Sequence, residues 1–60
     1  MGQQLEATLA AMFREEADRF RALAEKVLRL GYATYARALM NRAKEFRRSA
    51  KKLESQNRKV

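Results

Sequence analysis

The sequence predicts an all-α fold, an antiparallel two-helix hairpin that dimerises into a four-helix bundle. Three observations carry this. The 60 residues contain no Pro and Gly only at positions 2 and 31, and Ala, Leu, Glu, Arg and Lys dominate, which is the composition of a helix former. Apolar residues recur every three or four positions on both sides of Gly31, the period of a one-sided helix. The two series are also out of phase. Extended past Leu30, the first one reaches Thr34, Arg37, Asn41, Lys44 and Arg48, all polar. A single unbroken helix would carry its two stripes on different sides, and a turn at the one internal Gly removes that conflict.

The first helix is expected from about Gln3 to Leu30. Its stripe is Leu5, Leu9, Met12, Phe20, Leu23, Val27 and Leu30, and Phe13, Ala17, Ala24 and Leu28 widen it to nearly half the circumference. Gly31 accepts the left-handed conformation that ends helices. The second helix is expected from about Ala33 to Ser55, with a near-strict heptad seam of Tyr32, Tyr35/Ala36, Leu39, Ala43, Phe46, Ala50 and Leu53. Thr34 is the candidate cap for that helix, and the two tyrosines are expected to close the end of the bundle. The polar residues 56–60 are expected to fray, leaving residues 1–60 as a single helical-hairpin domain.

A chain this short buries little of its surface alone and usually needs disulfides, metal, oligomerisation or very regular packing. There is no Cys or His, which leaves oligomerisation. A helix packed only against its hairpin partner has no use for so wide an apolar arc, so a homodimer is expected. Its core and dimer contacts are assigned to Leu9, Phe13, Phe20, Leu23, Val27, Leu39, Ala43 and Phe46. Glu16 lies inside the first stripe with Arg19 one turn on. It is either a charge paired across an interface that fixes register, or half of an i,i+3 pair at a partly exposed rim.

The charge distribution bears on function. Lys and Arg number 14 against 7 Asp and Glu, a formal net charge of +7. Residues 1–30 hold five basic and five acidic groups, so the whole surplus falls on residues 31–60. On the second helix Arg37, Lys44, Arg48 and Lys51 line the face opposite the heptad seam, flanked by Arg47 and Lys52. Such a ridge can follow a phosphate backbone with steep salt dependence, so these six residues are the candidate nucleic-acid contacts. No aromatic is interleaved with them, which favours backbone and shape recognition of DNA or structured RNA over base stacking or base readout.

Without His, Cys, a Gly-rich loop or clustered carboxylates, no enzyme, cofactor or metal site is expected. The alternative reading is a protein–protein interaction module or small chaperone that offers the wide face of the first helix to a larger protein partner. A membrane-surface role is disfavoured, because Ala36, Ala43 and Ala50 suit close helix packing better than insertion into lipid. A cytoplasmic location is expected from the lack of a basic leader, an apolar span and Cys.

The architecture resembles that of the Rop-type RNA-binding regulators of plasmid replication, also Cys-poor helical hairpins of about this length. Local echoes lie in Glu25-Lys26-Val27 and in Ala43-Lys44-Glu45-Phe46-Arg47-Arg48-Ser49. The resemblance implies a dimeric bundle that binds RNA. That family carries its RNA contacts on the first helix, whereas the surplus charge here is on the second, so no site residues are carried over. The segment from Leu30-Gly31-Tyr32 to Ala43 is also similar to the helical pairs of microtubule-interacting-and-trafficking and tetratricopeptide modules, although one hairpin is shorter than either fold.

Overall fold

Gly31 reverses the chain. In the computed structural model, which describes the backbone of residues 2–58 and the side chains of residues 4–56, helix α1 spans Gly2–Arg29 and helix α2 spans Ala33–Arg58. Gly31 has φ 94°. Its N–H donates to the Leu28 carbonyl at 2.9 Å, and the Tyr32 N–H donates to the Val27 carbonyl at 3.1 Å. These are the paired 5→2 and 6→1 bonds of a Schellman cap, and they satisfy carbonyls that the end of α1 would otherwise leave open. Lys26 and Arg29 in the last turn complement the negative end of the helix dipole. The Tyr32 carbonyl then accepts the Ala36 N–H at 2.9 Å and starts α2. Thr34, expected as a cap, therefore lies inside the first turn.

A Cβ built on Gly31 meets nothing within 4 Å, so any substitution there is opposed by backbone conformation alone. Gly31→Ala is expected to cost about 1–2 kcal/mol, a fall of several degrees in Tm for a domain this small. Gly31→Asn should cost less, because Asn tolerates the left-handed region. Thermal unfolding followed by circular dichroism checks the order Gly, Asn, Ala.

The helices run antiparallel: Arg14 pairs with Glu54, Phe20 stacks on Phe46, and Val27 and Leu39 share a cluster near the turn. Alanines at heptad spacing line the seam on both sides. Ala10, Ala17 and Ala24 of α1 and Ala36, Ala43 and Ala50 of α2 are all buried, with Ala17 and Ala50 at 0 % exposure. Between them, again at sevens, stand Phe13, Phe20 and Val27 on α1 and Leu39, Phe46 and Leu53 on α2. Phe46 lies between two rings, 5.8 Å from Phe13 and 5.5 Å from Phe20 centroid to centroid. Small residues let the backbones approach closely, and the large ones fill the space beside the approach.

This corrects the first helix of the sequence reading. Val27 is buried and Leu9 and Phe20 are half-buried, but Leu23 is 46 % exposed and lies outside this chain's own core. Leu5 (61 %), Met12 (54 %) and Leu30 (73 %) are exposed as well. The seam of α1 runs through Phe13, Ala17 and Ala24, the expected flank of the stripe. The cause lies in α2: its Ala-lined seam fits against an equally small surface, and α1 offers that at 10, 17 and 24. Two further expectations change. Tyr32 and Tyr35 are exposed at 62 % and 59 % and stand outside the seam, since the cap places Tyr32 before α2 and Tyr35 on its flank. Residues 56–58, expected to fray, continue α2, while 59–60 lie outside the described residues.

Candidate nucleic-acid interface

Arg37, Lys44 and Lys51 fall at intervals of seven on α2, and Arg48 sits one turn from the last two. All four are exposed, as the helical period requires of positions turned away from the Ala36–Ala43–Ala50 line. Between Arg37 and Lys51 the ridge is about 21 Å long at 1.5 Å per residue, comparable to some six phosphates along one strand at about 3.4 Å each.

Four of the acidic groups are paired with cations outside this ridge. Glu54 binds Arg14 across the helices, with Arg14 Nη2 to Glu54 Oε1 at 2.5 Å and Nε to Oε2 at 3.4 Å. The hydrogen bond from Arg14, and then its attraction to the carboxylate, raises the guanidinium pKa above its ordinary value. Asp18 Oδ1 lies 3.6 Å from Arg47 Nη2. Within α1, Glu16 pairs with Arg19 at 2.9 Å and Glu25 with Arg21 at 4.0 Å. Among the described residues none of the four ridge cations has a carboxylate within 4.0 Å.

Of the six residues expected to bind nucleic acid, all exposed, four make the ridge and two stand beside it. Arg37, Lys44, Arg48 and Lys51 share a face. Arg47 sits at the edge of the seam and ties α2 to Asp18, so its charge is partly spent inside the chain. Lys52 turns to the other flank, where it borders a shallow apolar groove with Leu9, Phe13, Ser49, Leu53 and Gln56. The Glu16–Arg19 contact takes the form of a rim pair, with the Glu16 side chain 42 % exposed.

A groove of about 370 Å³ beside the ridge escaped the sequence reading. Ala24, Leu28, Ala33, Ala36 and Met40 form its floor, Arg37, Asn41 and Lys44 its α2 rim, and Glu25 the opposite rim. The available signal was the apolar Leu28 on one helix facing the seven-spaced pair Ala33 and Met40 on the other. Reading it requires the antiparallel register.

Comparison with protein-family models, with curated proteins and with solved structures finds no match to this chain. The likeness to Rop-type regulators and to the two helical modules therefore rests on the local echoes and the architecture alone. Among the described residues no helix is long and apolar enough to cross a membrane, and no group of three or more His, Cys, Asp or Glu comes together.

Proposed function

We propose that this chain is a small cytoplasmic regulatory protein that binds DNA or structured RNA through the α2 ridge, as a homodimer whose two hairpins form a four-helix bundle. It is a binding protein rather than a catalyst. One observation carries the reading. Arg37, Lys44, Arg48 and Lys51 stand exposed on one face with no carboxylate within 4.0 Å among the described residues, while Glu16, Asp18, Glu25 and Glu54 pair with other cations. Concentrated like charge of this kind opposes a chain's own compaction and favours an anionic partner. Each phosphate neutralised releases counterions, so affinity is coupled to salt.

The test is a titration of the chain into labelled duplex DNA and into an RNA hairpin across a salt series. Micromolar or tighter affinity at low salt is expected. Four phosphate contacts give a log–log slope of about −3.6, so affinity falls roughly 150-fold between about 50 and 200 mM salt. Lys44→Gln is expected to make that slope shallower by about one and to weaken all sequences alike. No detectable binding at low salt overturns the reading.

The exposed Leu5, Met12, Leu23, Leu28 and Leu30 support a second reading, in which α1 docks on a larger protein and the cations steer the encounter. Sedimentation separates the two: a well-folded dimer favours the first, a monomer that associates only with a partner the second.

A further inference from the structure

The stripe that the hairpin leaves uncovered on α1 is complementary to itself. Leu5, Met12 and Arg19 fall at intervals of seven along one row, and Glu16, Leu23 and Leu30 along the row beside it. The two rows are about 40° apart and centred about 110° around α1 from the α2 seam, at 100° per residue. That is close to the right angle between neighbouring helices of a four-helix bundle. Laid antiparallel on a second copy with the two-fold axis between residues 17 and 18, each row meets the other. Leu5 then faces Leu30 of the second copy, Met12 faces Leu23, and Arg19 faces Glu16. The remaining step sets Leu9 against Lys26, whose four-carbon stem can lie along the leucine while its ammonium reaches water.

We infer that this face of α1 is the dimer seam, occupied by α1 of a second copy in antiparallel register about residues 17 and 18, with Glu16 and Arg19 forming a four-charge cluster at the axis. The inference rests on the self-association proposed above and not on nucleic-acid binding. Area supports it. The chain exposes 5181 Å², whereas a compact protein of its 7.0 kDa exposes about 4,000 Å². The surplus exceeds the roughly 800 Å² that each partner buries in a stable interface of standard size. Charge supports it too. Residues 1–30 carry equal numbers of basic and acidic groups, so two copies of α1 meet without net repulsion, whereas the +7 of residues 31–60 disfavours pairing through α2. A two-fold contact requires a self-complementary surface, and this one is complementary at its apolar steps and at its charged step.

Cysteine cross-linking tests the register on a chain with no Cys of its own. Two single variants, Met12→Cys and Leu23→Cys, are mixed under mild oxidation and followed by sedimentation and non-reducing electrophoresis. The mixture is expected to give a covalent dimer and each variant alone little. Identical positions lie about 16 Å apart in this register, beyond the 4.4–6.8 Å Cα separation of a disulfide. A second mixture tests the axis. Glu16→Arg and Arg19→Glu should each weaken the homodimer at least tenfold, and mixing the two should restore association, because each copy then supplies what the other lacks. The pair within one chain stays broken in both, so restoration reports the contact between copies. A dimer by sedimentation in which the mixed cysteines fail to cross-link, or in which either variant links to itself efficiently, overturns the register and leaves self-association standing. A chain that sediments as a monomer up to high concentration overturns both.

Discussion

Phe46→Ala is expected to cost the hairpin about 3 kcal/mol, a large part of its stability. Phe46 is the one aromatic that α2 contributes to the seam, and it stands between Phe13 and Phe20 at 5.8 and 5.5 Å. Truncating it removes both ring contacts at once. Phe→Ala in a core costs about 3–5 kcal/mol; Phe46 is half-buried, which sets the expectation near 3. A 60-residue domain has roughly 3–9 kcal/mol in total, so the loss takes a large part of it. Phe46→Leu keeps much of the apolar area and forfeits the ring contacts, together worth about 1–3 kcal/mol at 0.5–1.5 each, and should remain folded with a lower midpoint. Urea unfolding followed by far-UV circular dichroism separates the three proteins. If Phe46→Ala shifts the unfolding free energy by less than about 1 kcal/mol, the aromatic cluster is not what holds the helices together.

Much of this architecture was legible in the sequence, and the parts that were not share a cause. Gly31 marked the turn because it interrupts two series that cannot continue each other. The α2 seam was legible because Leu39, Phe46 and Leu53 alternate with Ala36, Ala43 and Ala50, so one heptad pattern accounts for most of the apolar residues in the middle of that helix, Ala38 and Met40 apart. Helix α1 carries two apolar lines. Phe20 and Val27 belong to both; beside them Leu5, Leu9, Met12, Leu23 and Leu30 outweigh Ala10, Ala17 and Ala24 in hydrophobicity, and ranking by hydrophobicity centres the stripe on the first. Packing against an Ala-lined partner selects the second, because close approach of two backbones depends on small size and not on transfer free energy. The site divides in the same way. Arg37, Lys44, Arg48 and Lys51 follow from helical spacing alone. The engagement of Arg47 by Asp18 and the groove between Leu28 and Met40 depend on which residues the second helix brings alongside the first, and spacing within one helix does not contain that.

Ala17→Leu is the substitution that decides between the two faces of α1, and it is expected to destabilise the hairpin by about 2–3 kcal/mol. Ala17 is fully buried at the middle of the seam. Overpacking a closely packed site costs about 1–3 kcal/mol, and here the strain spreads, because separating the helices at Ala17 also loosens Ala10, Ala24, Ala43 and Ala50. Intrinsic propensity contributes little, since Leu is nearly as good a helix former as Ala, within a few tenths of a kcal/mol. Ala22→Leu, on the exposed side of α1, is the control and should stay within about 0.5 kcal/mol of the parent. Were the Leu5–Met12–Leu23–Leu30 line the one facing α2, Ala17 would lie at the edge of the contact and a leucine there would be neutral or stabilising. Thermal melts of the two variants side by side therefore read out which surface of α1 the hairpin uses. They also show which surface it leaves for a second copy, because a helix this narrow cannot bury the same face twice.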